Sequence, residues 1–243
     1  ATHRVLDRDY AIKVLFGEVA SNHVLAERFR REAHAVSKMN HPNVVSVLDF
    51  GSTKEGLHFM AMELVSGRTL RWVIRKLGPL APWRAAAIAR QMADGLREAL
   101  RLGFLHRDVK PSNVMVFRED GREHIKILDF GLVREASPDR DEPWLTKTGQ
   151  FVGTPTYMAP EQITGERANA LVDLYSLGVI LYEMLEGRPP FEAKRVVEMQ
   201  QKHLTQTPPT PRPAHGLETL VLRLLEKEPT KRPQTAGEVV ETI

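Results

Sequence analysis

The chain has 243 residues, of which 42% are apolar and 27% are charged, and its 34 basic side chains nearly balance its 31 acidic ones. This composition is ordinary for a globular protein and excludes a chain that is wholly disordered, collagen-like or coiled-coil. The net charge of +3 is too small and too evenly spread to favour nucleic acid or a membrane surface as a partner, and the absence of cysteine excludes disulfides and thiolate metal sites.

Strands dominate the predicted elements up to Leu64. Apolar and β-branched residues predict strands at Tyr10–Phe16, Asn43–Phe50 and Leu57–Leu64. One helix interrupts these strands, and it is capped near Ser21 and runs to Met39. The first quarter of the chain is therefore expected to form a small sheet with one helix.

Helices dominate the predicted elements after Gly67. Helices are predicted at Pro82–Leu102, Ala168–Glu186, Gly216–Lys227 and Thr235–Ile243, and short strands at Val114–Phe117 and Ile125–Leu128. Strands followed by helices predict an α+β fold of two lobes with a ligand cleft between them. The expected division is a β-rich lobe at 1–65 and a larger helical lobe at 66–243, which together form one domain.

The apolar pattern predicts neither a membrane-spanning segment nor a signal peptide. The most apolar stretch, Leu171–Leu185, includes Asp173 and Glu183 and is shorter than the ~20 apolar residues of a membrane span. Residues 1–9 carry four charges and no apolar core. We expect a cytoplasmic domain, and regions outside this chain could still anchor the whole protein to a membrane.

Two charged residues in the β-rich part are hard to explain by folding alone. Glu32 falls in an apolar stripe of the first helix, where a carboxylate is costly unless a cation meets it. Lys13, alone in an apolar strand, is the nearest upstream cation. The alternative is that Glu32 lies at the edge of the stripe while Lys13 extends to water, and periodicity does not decide between the two.

Polar clusters follow two apolar segments farther along the chain. Residues 106–113 are mostly polar, and Asp129 directly follows the strand predicted at Ile125–Leu128. Each cluster alone could be a solvated turn. Together, however, Asp108, Asn113 and Asp129 lie at the ends of short strands that can pair, which brings together the oxygen ligands that Mg²⁺ prefers.

The motifs, taken in this order, resemble a eukaryotic-type protein kinase domain, and among such domains they are most similar to the bacterial serine/threonine kinases. The resemblance runs from Asp9 to about Thr235. The matching residues are Ala11–Lys13, Glu32, His106–Asp108 with Asn113, Asp129–Gly131, Ala159–Glu161, Asp173 and Arg232. A chance match of all of them in the right order is negligible.

The resemblance implies a role for each residue near the reacting hydroxyl. Asp108 accepts or orients the proton of the attacking hydroxyl, and Lys110 meets the γ-phosphate. Asn113 and Asp129 hold Mg²⁺, with Mn²⁺ as an alternative. The resemblance further implies that Thr154 orders Asp108 and Lys110, a feature of kinases that phosphorylate serine and threonine.

The resemblance also implies a binding site for ATP. Lys13, paired with Glu32, binds the α- and β-phosphates. The adenine site comprises the gatekeeper Met62, the hinge residues Glu63 and Val65, and Ala11 and Met115 on the two faces of the base. The implied partners are therefore ATP and protein substrates, without nucleic acid.

Regulation by phosphorylation is a further expectation. Arg107 precedes Asp108, and Arg134 lies shortly after Gly131, so two guanidinium groups are expected near the catalytic aspartate. A phosphate on the activation segment could bind both through charge-assisted hydrogen bonds. The predicted sites of autophosphorylation are Thr148 and, second, Thr146.

One departure from the family pattern lies at the start of the chain. The family places a glycine-rich hairpin ahead of the lysine strand, and none of the 12 residues before Lys13 is glycine. We therefore expect the first strands of the sheet to be absent, and about 20 to 30 residues with such a hairpin to precede Ala1 in the parent protein. The alternative function is a pseudokinase-like nucleotide-binding or scaffold module without turnover. A module of that kind has no need to keep the full set of Lys13, Glu32, Asp108, Asn113 and Asp129, so their presence favours the kinase.

Overall fold

The described residues of the computed structural model are 1–3, 7–14, 30, 33–34, 36–54, 57–129, 134–135, 155–166 and 169–243. An antiparallel sheet with the strand order β1-β2-β4-β3 occupies the N-terminal part. Its strands are β1 (Thr2–His3), β2 (Arg8–Val14), β3 (Val47–Ser52) and β4 (His58–Glu63). The strand that carries Lys13 is thus an inner strand, and Lys13 lies opposite the buried Met60.

The first strand corrects one expectation. We expected the strands before the lysine strand to be absent, but Thr2 pairs with Asp9 and His3 pairs with Arg8. The Thr2 hydroxyl also donates to the Asp9 carboxylate at 2.6 Å. A strand of two residues is too short to show the alternation by which strands are recognised, so the sequence pattern could not reveal it.

The strand predicted at Asn43–Phe50 begins later, at Val47, because the residues before it pair elsewhere. The Val45 N–H donates to the Ile127 carbonyl at 3.0 Å, and the Ile127 N–H donates to the Asn43 carbonyl at 2.8 Å. The backbone groups of Asn43 and Val45 therefore bind to Ile127, more than eighty residues away, and do not extend β3.

The helix predicted to run to Met39 is described only near its end. The described residues from Arg30 to Ser37 are helical, and the Ser37 hydroxyl donates to the His34 carbonyl at 3.0 Å. Ala33 is buried on the side of this helix that packs towards the sheet. Glu32 lies outside the described residues, so its pairing with Lys13 stays a prediction.

The rest of the chain is mainly helical, with short strands between the helices. Strands β5, β7 and β8 form one sheet, and β6 pairs with β9. The elements are β5 (Arg68–Thr69), α1 (Leu70–Leu77), α2 (Pro82–Arg101), β6 (Phe104–Leu105), β7 (Val114–Glu119), β8 (Arg122–Ile127), β9 (Arg134–Glu135), α3 (Pro160–Thr164), α4 (Leu171–Glu186), α5 (Val196–Thr205), α6 (Leu217–Leu224) and α7 (Ala236–Thr242).

Helix α4 is the centre of the main hydrophobic core. Every residue of this helix except Glu183 and Glu186 is buried, as its continuous apolar sequence predicts. Gly178 lets α6 approach closely, because a Cβ atom there would lie 2.6 Å from the Leu224 Cβ. Polar residues of α4, such as Asp173, therefore lie inside the hydrophobic core.

The predicted α+β fold is confirmed, and each of the four helices predicted after Gly67 is present with small changes at its ends. Helix α7, for example, begins one residue after Thr235, whose hydroxyl accepts the Glu238 N–H at 3.1 Å and so caps the helix. The division into lobes at 1–65 and 66–243 stays a prediction. No helix in the described part of the chain is both long and apolar enough to span a bilayer.

Helix α5 packs against α4 through a buried histidine. The Tyr175 hydroxyl lies 2.8 Å from the His203 Nδ1, and the Phe191 ring contacts the imidazole edge-on at 5.0 Å between ring centroids. His203 is fully buried, and burial together with the nearby Lys227 ammonium lowers its pKa to about 3. The folded protein therefore keeps this imidazole neutral at any pH near neutrality.

We expect His203 to make folding stability fall as the pH is lowered. The unfolded chain binds a proton at His203 below a pKa of about 6.5, whereas the folded chain does not until the pH approaches 3, so stability is lost as the pH falls below 6.5. The loss attributable to this residue is roughly 2 kcal/mol between pH 7 and pH 5. Urea unfolding at these two pH values, with His203→Gln alongside the wild type, measures it.

The His203→Gln variant controls for the other titrating groups, because it lacks only the imidazole. It should show a smaller loss of stability between pH 7 and pH 5, because the remaining groups are unchanged. Burial also lowers the pKa of Lys227 to about 8, but that group titrates above this pH range. Parallel pH profiles for the two proteins would contradict the expectation.

Candidate active site

The predicted catalytic loop, residues 106–113, is attached to helix α4 by hydrogen bonds. The backbone N–H groups of His106 and Arg107 donate to the two carboxylate oxygens of Asp173 at 2.9 Å and 2.7 Å. Burial raises the pKa of Asp173, and these two N–H donors oppose that shift because they stabilise the charged form. Asp173 thereby fixes the backbone just before Asp108, at a residue, Arg107, that has a φ of 63°.

His106 connects the catalytic loop to the end of strand β8. Its Nδ1 accepts the Asp108 N–H at 3.3 Å, so its Nε2 carries the proton and donates to the Leu128 carbonyl at 3.0 Å. The imidazole is fully buried. One side chain thus sets the relative position of Asp108 and of the backbone that precedes Asp129.

The Asp108 carboxylate is held by two neighbours in the loop. The Lys110 Nζ lies 2.5 Å from the Asp108 Oδ2, and the Asn113 Nδ2 donates to the Asp108 carbonyl at 3.1 Å and lies 3.4 Å from the same Oδ2. The side chains of Asp108 and Lys110 are each 20% exposed. An oriented, partly accessible carboxylate beside an ammonium group can receive a hydroxyl proton and face an anionic co-substrate.

Asn113 and Asp129 lie at the same end of the β7–β8 pair. Val114 is paired with Ile127 in the sheet, and the Leu128 N–H donates to the Asn113 carbonyl at 2.8 Å. The amide nitrogen of Asn113 faces Asp108, which leaves its oxygen, with the Asp129 carboxylate, as donors for a ligand. This oxygen-only pair fits a hard cation such as Mg²⁺.

Lys13 reaches this site from strand β2. Its Nζ lies 2.9 Å from the Asp129 Oδ1, although 116 positions separate the two residues in sequence. The side chains of Lys13 and Asp129 are 34% and 45% exposed, so both groups are accessible to a ligand. Asp129 has a φ of 51°, a conformation that is costly for a non-glycine residue and that turns the chain directly after the strand.

The residues predicted to surround adenine lie on two sheets and on the segment that joins them. Ala11 is directly opposite Met62 across the β2–β4 pair. Met115 lies on β7 opposite Thr69, and Val65 is half-buried in the segment that joins β4 to β5. Glu63 ends β4, and its carboxylate accepts the Ser46 N–H at 2.7 Å. Ala11 and Met62 thus share the sheet that carries Lys13, Met115 lies on the β7–β8 pair, and the adenine site between them stays a prediction.

Gly67 allows the joining segment to lie against β7. A Cβ atom at this position would be 2.3 Å from the Val116 carbonyl oxygen, so no larger residue fits without a shift of the backbone. Sequence reasoning assigned no role to Gly67. A glycine two residues after the predicted hinge residue Val65 was the signal that could have shown this close approach.

The predicted phosphate-binding arginines and phosphorylation sites are only partly described. Strand β9 sets the backbone of Arg134 opposite Leu105, two residues before Arg107. Thr146, Thr148 and Thr154 lie outside the described residues, as Glu32 does. Their predicted roles therefore stay predictions.

Gln162 is a positioning residue that sequence reasoning missed. Its Oε1 accepts the Ala159 N–H at 2.9 Å, and its Nε2 donates to the Arg107 carbonyl at 3.1 Å. This side chain joins the start of helix α3 to the catalytic loop. No local pattern signals such a role, because the partner lies 55 positions away in sequence.

Comparisons with known proteins agree with this geometry. Residues 1–242 match the protein kinase domain family. The chain is 41% identical over 239 residues to the serine/threonine-protein kinase pkn3 of Myxococcus xanthus, which covers 95% of this chain and 44% of that protein. It is 38% identical over 242 residues to the serine/threonine-protein kinase PknB of Mycolicibacterium smegmatis, covering 96% of this chain and 38% of that protein.

The chain therefore belongs to the protein kinase family. A third similar protein is the serine/threonine-protein kinase PkaA of Streptomyces coelicolor, to which the chain is 40% identical over 224 residues, 92% of this chain and 40% of that protein. The chain spans less than half the length of each of these three relatives. The family resemblance inferred from the motifs is confirmed.

Proposed function

We propose that the chain transfers the γ-phosphoryl group of ATP to serine and threonine hydroxyls of protein substrates. The observation that carries the proposal is the arrangement of Asp108, Lys110 and Asn113 in one hydrogen-bonded cluster. Two further contacts support the proposal: the Leu128 N–H donates to the Asn113 carbonyl, and Asp129, the next residue, forms an ion pair with Lys13. Neither the described residues nor the relatives favour a scaffold without turnover.

The chemistry assigned to these residues is mainly positioning. Asp108 orients the substrate hydroxyl and accepts its proton, while the Lys110 ammonium, fixed at 2.5 Å from Asp108, offsets negative charge on the transferred group. Lys13, a partly exposed cation on strand β2, holds the α- and β-phosphates. In this assignment Glu32 keeps Lys13 in place and Thr154 orders Asp108.

Asn113 and Asp129 are the residues that would hold Mg²⁺. When bound there, the cation supplies shielding of the charge on the ATP phosphates. The protein fixes how far apart the two oxygen ligands are. Asn113 directly precedes β7 and Asp129 comes two residues after β8, and these two strand ends are paired. Ala11, Met62, Met115, Val65 and the backbone of Glu63 form the proposed adenine site.

The proposed function is tested by incubating the chain with radiolabelled ATP, Mg²⁺ and matched peptides that offer serine, threonine or tyrosine as the acceptor. Label is expected on the serine and threonine peptides and not on the tyrosine peptide. Omission of Mg²⁺ should remove the label. If the chain binds ATP but no label appears on any peptide or on the chain itself, the scaffold alternative is established instead.

Autophosphorylation of the activation segment is a second expected activity. Arg107 lies next to Asp108, and the β6–β9 pairing sets the backbone of Arg134 near it, so a phosphate on Thr148 would meet two guanidinium groups. We expect Thr148 to be the main modified residue and Thr146 the second. Mass spectrometry of the chain after incubation with ATP and Mg²⁺ identifies the sites, and an unmodified 132–158 segment in an active enzyme would refute the expectation.

A further inference from the structure

Glu63, at the start of the hinge, is bound by protein donors through its side chain. Its Oε1 lies 2.7 Å from the Lys126 Nζ and accepts the Ser46 N–H, also at 2.7 Å. The Glu63 N–H in turn donates to the Ser46 carbonyl at 3.0 Å. Both the carboxylate and the N–H of Glu63 are therefore bound by the protein, which holds this end of the hinge in place.

Lys126 lies on strand β8, which ends two residues before the proposed metal ligand Asp129. It is opposite Met115 in the β7–β8 pair and three residues before Asp129. Its neighbours Ile125 and Ile127 are fully buried in the main core, so alternation along the strand directs Lys126 to the other face. The ion pair thus connects strand β8 with the hinge.

A second connection runs in parallel with this ion pair. Backbone hydrogen bonds join Ile127, next to Lys126, to Asn43 and Val45, and the segment continues to Ser46, which binds Glu63. Lys126, Glu63 and the segment at 43–46 therefore form a closed loop of contacts. Such a loop holds the end of β4 in one position relative to β8.

The ion pair is sheltered enough to have an energetic effect. The side chains of Lys126 and Glu63 are 14% and 23% exposed, so solvent and salt screen their attraction less than they screen a surface pair. Removal of the ammonium group would leave the Glu63 carboxylate partly buried without its counter-charge. The carboxylate would then be expected to move towards water and to take the hinge backbone with it.

We propose that Lys126 is a positioning residue, which fixes the hinge for adenine binding through its ion pair with Glu63. This proposal rests on the proposed kinase function, and it names a residue that acts through another and touches no reacting atom. A hinge that is already held in the binding geometry needs less ordering when ATP binds. The transfer step at Asp108 does not depend on it, so Lys126 should affect nucleotide affinity and leave kcat nearly unchanged.

The test compares Lys126→Met with the wild type under steady-state conditions. We expect the KM for ATP to rise about tenfold while kcat stays within about twofold, and we expect the Kd of a non-hydrolysable ATP analogue with Mg²⁺ to rise by a similar factor. Lys126→Arg, which keeps the charge, should restore most of the affinity. In a Glu63→Gln background, Lys126→Met should raise KM by less than about twofold more, because the pair is already broken.

The matched control is Arg84→Met. Arg84 forms an ion pair with Glu123 on the same strand β8, at 2.6 Å and with side chains 21% and 22% exposed, but this pair leads to helix α2 and not to the hinge. Its removal should leave the KM for ATP within about twofold of the wild type. Equal changes in KM for the two variants, or a fall in kcat without a change in KM for Lys126→Met, would show that Lys126 supports only the fold and would overturn the proposal.

The failure of this inference is distinguishable from the failure of the proposed function. If the wild type transfers phosphate and binds the analogue while Lys126→Met does both equally well, the inference about Lys126 is wrong and the kinase function stands. If the wild type transfers no phosphate to any peptide, the proposed function is wrong. In that case the analogue Kd alone still decides whether Lys126 positions a nucleotide site.

Discussion

Asp108→Asn is expected to reduce phosphate transfer by about 10²- to 10⁴-fold, the range that a positioned general base contributes. The substitution removes the group that accepts the hydroxyl proton but keeps a side chain of the same shape. An asparagine oxygen can still accept a hydrogen bond from Lys110, so the loop contacts described above remain available. Initial rates with radiolabelled ATP and a threonine peptide measure the loss.

The control for this prediction is Asp120→Asn, the same chemical change in the exposed turn between β7 and β8. Its transfer rate should equal that of the wild type within error. Asp120→Asn should unfold within about 1 kcal/mol of the wild type, because it changes only an exposed turn. Asp108→Asn leaves the partly buried Lys110 ammonium without its carboxylate, so it should be the less stable of the two variants while still folding. A wild-type rate for Asp108→Asn would show that the catalytic loop is assigned wrongly.

Arg232→Met is expected to cause the largest loss of stability, about 3–5 kcal/mol in urea unfolding. The Arg232 guanidinium is 1% exposed and binds both carboxylate oxygens of Glu161, at 2.6 Å and 2.9 Å. It also donates to the carbonyl groups of Leu171, Glu226 and Lys227. Its removal leaves a buried carboxylate and several carbonyl oxygens without their donor, which is the costly way to break such a pair.

Two further variants separate this effect from the simple loss of an ion pair. Arg223→Met removes an ion pair of 2.8 Å with Glu238 whose side chains are 45% and 38% exposed, and it should cost less than about 1 kcal/mol. Adding Glu161→Leu to Arg232→Met should recover part of the lost stability, because the uncompensated charge is then gone. Similar losses for Arg232→Met and Arg223→Met would contradict the interpretation.

The sequence was most informative where one element carries its own signal. Helix α2 begins with a proline at its first position and buries residues at helical spacing, and α4 is apolar on every side, so both were predicted with nearly correct ends. The ion pair of Glu161 with Arg232 joins two residues of the family motifs. The placement of Asn113 and Asp129 beside the ends of a strand pair was predicted from the apolar segments next to them.

The sequence was least informative where a role depends on a distant partner. Gln162, Gly67 and Lys126 each act by a contact with a segment far away in the chain, and nothing in their local pattern distinguishes them from ordinary polar or turn residues. The strand at Thr2–His3 was missed because two residues carry no periodicity. Such features become visible only when the tertiary contacts are known.

The attachment of the catalytic loop to Asp173 has a consequence for how the domain opens. The loop buries the side chain of Val109 in the core, and its backbone is also bound by a carboxylate of helix α4, nearly all of which is buried. Local opening of the loop would leave the buried Asp173 carboxylate without its two N–H donors. The loop and helix α4 are therefore expected to unfold together as one cooperative unit. Substitutions that loosen the core around α4, however far from ATP, would therefore be felt at Asp108 before the whole domain unfolds.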